Sequence, residues 1–107
     1  IEYYAKKIEK IGGKKIGIIG LSYREGVREK AYSRSAGMIN MLKKKGYEVY
    51  ALDPLYSKEE IKKEFGAGYL DDFSKMDAII LMNKESRYKN KLLSMKSRVV
   101  DVKNILG

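Results

Sequence analysis

Four short apolar stretches of this chain are each followed by polar and cationic side chains, and these are the residues with the clearest capacity for chemistry. The stretches end near Ile19, Leu52, Met82 and Val102. Guanidinium and ammonium groups held close together bind phosphate oxygens through charge-assisted hydrogen bonds. The side chains concerned are Tyr23, Arg24, Arg28, Lys30, Arg34, Lys84, Arg87 and Lys103. If the fold brings the four ends together, the pattern predicts a site for a phosphate-bearing ligand.

The composition excludes several kinds of catalytic site. The chain has no Cys and no His, which removes disulfides, ordinary zinc sites, Cys or Ser–His nucleophiles and imidazole acid–base chemistry. No two carboxylates have a distinctive catalytic spacing. We therefore expect no metal site, and any chemistry within the chain has to use Asp, Glu, Lys, Tyr or Ser.

The charge balance indicates an anionic partner. With 23 Lys and Arg against 14 Asp and Glu in 107 residues, the formal charge is +9, which favours nucleic acid, a phosphate-bearing metabolite or an acidic membrane surface. The apolar stretches are far too short to cross a bilayer and no signal peptide is visible at the start, so we expect a cytoplasmic protein. A first residue of Ile rather than Met suggests a piece of a longer protein.

Alternating helices and strands must position these side chains. Hydrophobic periodicity and the Gly and Pro breaks predict strands at 14–19, 47–52, 77–82 and 98–102. They also predict four helices: one at 1–11, one from Ser33 or Ser35 to Lys45, one that begins at a Ser57 and Glu60 capping box, and one at 86–95. Such alternation is typical of a parallel sheet. We predict a single α/β domain, a Rossmann-like three-layer sandwich. Its mainly parallel sheet has at least four strands, in the order 2-1-3-4, with helices on both faces.

In such a sheet the four polar segments converge, because the carboxyl ends of parallel strands lie on the same side. Ligands bind beyond those ends. A usual dinucleotide site needs G-x-G-x-x-G directly after the first strand. Here Gly20 is followed by LSYREGVREKAYS, so that fingerprint is missing. Asp53, at the end of the second strand, could imitate the acidic ligand of a ribose, but a strand-end Asp-Pro turn is the favoured interpretation.

Other residues have structural as well as functional interpretations. Gly20 either ends a strand or lets a ligand approach closely, and Tyr23 is either a loop anchor or a stacking surface. The lysine runs at 43–45 and 62–63 are expected to be solvated and to complement helix C-termini. The two aspartates before Phe73 are expected to cap a short turn or helix.

Several motifs, taken in order, resemble a known family. The strand and turn KKIGIIGLSYR at 14–24 are similar to a basic, apolar strand running into Gly-Leu-(Ala/Ser)-(Phe/Tyr)-Lys. Residues 46–54 match Gly-(Ala/Tyr)-x-Val-x-x-(Tyr/Leu)-Asp-Pro, residues 77–80 match Asp-Ala-hydrophobic, and residues 99–104 match Val-hydrophobic-Asp-x-(Arg/Lys)-Asn. Over about residues 14 to 105 the chain resembles the C-terminal, UDP-binding domain of the UDP-glucose/GDP-mannose dehydrogenase family, which includes the UDP-N-acetylmannosamine dehydrogenases.

The resemblance implies a set of substrate-binding residues. Tyr23 and Arg24 would lie against the nucleotide sugar, with Arg24 in place of the family's Lys, and Lys103 would reach the ligand in place of the usual Arg. Both replacements keep the charge but change the hydrogen-bond geometry. Gly20, Asp101 and Asn104 are additional contacts implied by the matching motifs.

One loop departs from the family pattern. Where many members have Asp-Asp-x-Arg-Glu-Ser-Pro, residues 28–34 read REKAYSR. Only Ser33 stays in register, so Ala31 stands at the expected Arg and Arg34 at the expected Pro.

The resemblance also implies what lies outside this chain. In the family a preceding domain binds NAD, a central helical region forms a homodimer, and the catalytic Cys and Lys belong to those earlier parts. Residues 1–12 would then be the end of the connector helix and residues 13–107 the UDP-sugar-binding domain, with no catalytic residue in this chain. The complete enzyme would be an NAD-dependent UDP-sugar 6-dehydrogenase of polysaccharide biosynthesis, with no membrane or nucleic-acid partner.

A second hypothesis comes from a different class of protein. A stand-alone basic Rossmann-like module could bind nucleic acid or a nucleotide without catalysis, since the charge fits and nine Tyr offer stacking surfaces. The chain has no recognised RNA- or DNA-binding signature, and Tyr47 and Tyr50 fall inside a predicted strand. Titration with UDP, UDP-sugars and an oligonucleotide separates the two hypotheses.

Overall fold

The structure is a computed structural model that describes residues 2–22, 34–83, 86–103 and 106. Its strands are β1 (Lys15–Ile19), β2 (Glu48–Leu52), β3 (Gly68–Tyr69), β4 (Ala78–Leu81) and β5 (Val99–Asp101). Its α-helices are α1 (Glu2–Ile11), α2 (Arg34–Lys44), α3 (Lys58–Glu60), which runs on into a π-helical turn at Ile61–Phe65, and α4 (Lys89–Leu93). Short 3₁₀ turns lie at Phe73–Lys75, Ser86–Tyr88 and Lys96–Arg98.

The five strands form one sheet in the order β3-β2-β1-β4-β5, and every neighbouring pair is parallel. The predicted order of the four main strands is therefore confirmed. The structure adds β3, because the amides around Gly68–Tyr69 continue the ladder beyond β2 and the Leu70 N–H donates to the Ala51 carbonyl at 2.9 Å. The sequence predicts only a break at Gly66 and Gly68 here, and no strand.

Successive residues of the strands enter two different cores, one on each face of the sheet. In β1, Ile16 and Ile18 face α1, α2 and the π-helical turn, whereas Ile19 faces the layer of α4 and the turn at Phe73. Side chains alternate across a strand, and both sets are buried here, as expected for parallel strands covered on both sides. The predicted three-layer sandwich is confirmed.

Local capping agrees with the sequence at two sites and differs at a third. Ser57 and Glu60 form the predicted capping box, with Glu60 N to Ser57 Oγ at 3.1 Å and Ser57 N to Glu60 Oε1 at 2.9 Å. The Asp72 side chain caps the turn at Phe73. Ser35 does not cap α2, because it lies inside the first turn of the helix and its hydroxyl is buried. The alternative cap, Ser33, lies outside the described residues.

The predicted solvated lysine runs are exposed. Lys43 to Lys45 and Lys62 and Lys63 all face solvent, and the Lys43 ammonium donates to the Gly66 carbonyl at 2.9 Å. This contact gives a hydrogen-bond donor to a backbone carbonyl at the C-terminal end of the π-helical turn, which agrees with a structural role for the lysines at 43–45.

Helix α1 is part of the packed body. Its Ala5 and Ile8 side chains are buried, and Ile8 belongs to the core on the α2 face. That residues 1–12 end a connector from another domain stays a prediction. No helix in the described ranges is both long and apolar enough to span a membrane.

Candidate functional site

The carboxyl ends of the parallel strands lie at one end of the sheet. This end, here called the carboxyl edge, is formed by Gly20–Ser22, Asp53, Asn83 and residues 101–103. The chain turns sharply as it leaves β1, with Gly20 at φ +96°. A Cβ atom at Gly20 would lie 2.5 Å from Cγ of the buried Asn83 side chain, so both the conformation and the packing require glycine. Of its two interpretations, the strand-end role of Gly20 is the one these contacts support.

The Asp53 carboxylate lies at the centre of the carboxyl edge. It is only 3% exposed, although it belongs to an acidic side chain. Its Oδ2 accepts hydrogen bonds from Leu21 N at 2.7 Å, Ser22 N at 3.0 Å and Ser22 Oγ at 2.8 Å, and its Oδ1 accepts from Leu55 N at 2.8 Å. Buried charges need such partners. Asp53 thus connects the segment after β1 to the turn after β2.

The strand-end turn predicted for Asp53 is confirmed. Besides the Leu55 contact, Tyr56 N donates to the Asp53 carbonyl at 3.0 Å. Because both carboxylate oxygens already accept hydrogen bonds from the protein and the side chain is buried, Asp53 is badly placed to accept from a ribose hydroxyl.

A third contact joins α2 to the same place. The Ser35 hydroxyl, buried in the first turn of α2, donates to the Gly20 carbonyl at 2.5 Å, and the Gly20 N–H donates to the Leu52 carbonyl at 3.0 Å. Gly20, Leu21 and Ser22 are therefore each fixed by a partner that lies in another part of the chain.

Asp101 lies farther along the carboxyl edge, at the end of β5 and two strands away from β1. Its Oδ2 accepts from Leu106 N at 2.7 Å, whereas its Oδ1 is buried without a hydrogen-bond partner among the described residues. The side chain also lines a cavity of about 410 Å³ between α1 and β5, together with Lys7, Lys10 and Lys96. The structure thus groups Gly20 with Asp53 and Asn83, and places Asp101 apart from them.

Three of the predicted cations lie in the described residues. Arg34 at the start of α2, Arg87 after β4 and Lys103 after β5 are all exposed, and each follows the carboxyl end of a strand in the chain. Tyr23, Arg24 and Asn104 lie outside the described residues, as do Arg28, Lys30 and Lys84. The contacts predicted for those six stay predictions.

The opposite ends of β1 and β4 carry a matching arrangement, here called the amino edge and formed by Gly13–Lys15 and Asp77. Asp77 Oδ2 accepts from Lys14 N at 2.7 Å and Lys15 N at 2.8 Å. The Lys15 and Lys14 hydrogen bonds, helped by the nearby Arg98 and Lys15 charges, lower the pKa of Asp77 below its ordinary value of 3.8. Gly13, at φ +88°, makes room for this carboxylate, since a Cβ there would lie 2.3 Å from Asp77 Cγ.

The residues after β1 do not suit the diphosphate of NAD bound in the usual way. That site needs the glycine turn G-x-G-x-x-G directly after the strand, but here Ser22 and Glu25 stand where its second and third glycines would be. Over the described part of the chain, no group of three or more Asp and Glu side chains could hold a metal ion.

Sequence reasoning missed the structural roles of Ser22 and Asn83 in the carboxyl edge and of Ser35, which contacts this edge from α2. All three are polar and buried. The available signal was weak: Ser22 and Asn83 come directly after apolar strands, where a buried polar residue must find a partner. The partner of Ser22 is 31 residues away in the chain, and no local pattern identifies it.

Comparison with known proteins supplies a ligand class. A search of curated proteins finds no match. The family model described as "UDP-glucose/GDP-mannose dehydrogenase family, UDP binding domain" matches residues 17–107. The match begins inside β1 and includes all of the carboxyl edge.

Proposed function

This chain belongs to the UDP-glucose/GDP-mannose dehydrogenase family, as its UDP-binding domain, and on that premise we propose that it binds the nucleotide of a UDP-sugar at the carboxyl edge. The family match over residues 17–107 is the observation that carries the proposal. The fixed backbone of Gly20–Ser22 and the exposed Arg34 and Lys103 support this location. A diphosphate suits it, because cations make charge-assisted hydrogen bonds to phosphate oxygens and an already ordered backbone lowers the entropy cost of binding.

Each proposed contact has a chemical role. Arg24 presents a guanidinium fork to a phosphate or sugar oxygen, Lys103 presents an ammonium, and Tyr23 lies against the nucleotide sugar. Asp101 has a buried Oδ1 without a partner among the described residues, which is an acceptor for a hydroxyl or amide donor. Asn104 is the remaining proposed contact, and Gly20 belongs to the set through the turn that it forms at the end of β1.

The complete enzyme, in this proposal, oxidises the C6 alcohol of a UDP-sugar to a carboxylate. NAD supplies the hydride acceptor and binds mainly to a preceding domain, while a central helical region forms a homodimer in the cytoplasm. This chain binds and orients the nucleotide end of the substrate and forms one wall of the cleft between domains. With no Cys or His, the chain by itself has no turnover.

Calorimetric titration of the 107-residue chain tests this function. We expect saturable binding of UDP that weakens on the order of tenfold in Arg24→Ala and in Lys103→Ala, since each removes one charge-assisted contact. Lys75→Ala is the matched control. It removes an exposed lysine just before β4, at the opposite end of the strands, and should leave the affinity unchanged.

Two results would contradict the proposal. Tight, steeply salt-dependent binding of a random oligonucleotide, without saturable UDP binding, would favour the basic nucleic-acid module. Reduction of NAD by the isolated chain in the presence of a UDP-sugar would contradict a purely binding role.

A further inference from the structure

The Asp53 carboxylate orders the backbone that leaves β1, and it does so from another strand. Three donors of Leu21 and Ser22 converge on its Oδ2 within 3.0 Å, while Leu55 N occupies its Oδ1. The residues that follow in the sequence are Tyr23 and Arg24, the proposed ligand contacts. The path along which the chain approaches Tyr23 is thus set by a side chain that need not contact the ligand.

These contacts require a carboxylate rather than any polar group. Both oxygens of Asp53 act only as acceptors, and all four of their partners are donors. An Asn side chain of the same shape would turn an NH₂ group toward donors on one side. It would face either the buried Leu21 and Ser22 amides or the part-buried Leu55 amide, and in both orientations a donor loses its acceptor.

We infer that Asp53 is a positioning residue for nucleotide binding, which fixes the Gly20–Ser22 backbone in the conformation that binds the UDP diphosphate. The inference rests on the proposed function for its ligand. It differs from the ribose-contact role, because Asp53 acts through Leu21 and Ser22 and stays buried beneath them.

The amino edge supplies a matched control. Asp77 makes two charge-assisted bonds to the backbone at the start of β1, as Asp53 does at its end. Asp77→Asn keeps an amide oxygen for these two donors but removes the charge, so it weakens the hold on the start of the same strand, away from the proposed site. A purely structural effect of Asp53→Asn would be reproduced by Asp77→Asn, whereas a positioning effect would not.

The experiment measures UDP affinity and amide hydrogen exchange in the 107-residue chain. We expect Asp53→Asn to weaken UDP binding by about tenfold or more and to speed exchange at Leu21 and Ser22. Asp77→Asn should leave the affinity within about twofold and speed exchange at Lys14 and Lys15 instead. Ser22→Ala, which removes only one of the donors, should give a smaller loss of affinity and serves if Asp53→Asn does not fold.

Each contrary outcome has a distinct meaning. Unchanged UDP affinity in Asp53→Asn and Ser22→Ala, with a wild-type chain that binds UDP, overturns the positioning role alone. An equal loss of affinity in Asp77→Asn also overturns it, because the effect is then general destabilisation. A wild-type chain that does not bind UDP contradicts the proposed function. Unchanged amide exchange at Leu21 and Ser22 in Asp53→Asn would show that Asp53 does not hold this backbone, whether or not UDP binds.

Discussion

Two aspartates hold the two ends of β1. Asp77 accepts from Lys14 and Lys15 where the strand begins, and Asp53 accepts from Leu21 and Ser22 where the chain leaves it. Neither partnership is local, since the residues are 31 to 63 positions apart in the sequence. A strand bonded on both sides and at both ends is a rigid base for a binding segment.

At Asp77 the hydrogen bonds predict a definite pH dependence of stability. Because the folded state lowers the pKa of Asp77 below 3.8, this group stabilises the fold above about pH 4, and the contribution is lost as the pH falls through the lowered pKa. In urea unfolding at pH 7, 4 and 3, we expect the free energy of unfolding of the wild type to fall more steeply with acidification than that of Asp77→Asn.

The control for this pH series is Asp71→Asn, which changes an exposed carboxylate nearby. It should retain the wild-type slope. Identical slopes for Asp77→Asn and the wild type would mean that the two backbone bonds do not favour the charged form of Asp77.

Among the elements, those that carry a strong sequence signal were predicted and those that depend on distant partners were not. The strands β1, β2 and β4 are short, nearly continuous apolar runs between Gly, Pro or polar residues, so their positions follow from composition. β3 has only two residues and is recognised only by its pairing with β2, which no local sequence signal identifies. The start of α2 was misassigned to Ser35 as one alternative, because a serine that bonds to Gly20 reads in sequence like a helix cap.

The capping box of α3 predicts a measurable contribution from a single hydroxyl. Ser57→Ala removes the acceptor for Glu60 N, and we expect a loss of about 1 kcal/mol in the free energy of unfolding. Chemical denaturation measures this loss. Ser97→Ala, an exposed serine before β5, should change the stability by less than about 0.5 kcal/mol, and an equal effect of both variants would rule out a special role for the cap.

For the whole molecule, the sequence predicted the class of fold, but not the hydrogen bonds and packing within the carboxyl edge. Parallel strands alternating with helices bring the segments after the strands to one side of the sheet, and on that ground Arg34, Arg87 and Lys103 are predicted to lie there. The contacts of Asp53, Ser35 and Asn83 depend on side-chain packing between elements far apart in the chain. That information is absent from periodicity and appears only in three dimensions.

The central claim is that UDP binds at the carboxyl edge, and chemical-shift mapping of the ¹⁵N-labelled chain during a UDP titration tests it most directly. We predict that the largest changes in backbone amide shift occur at Leu21, Ser22 and Lys103, while Lys15 and Asp77 at the amino edge change little. Saturating changes centred on the amino edge, or no saturable change at any amide, would contradict the account.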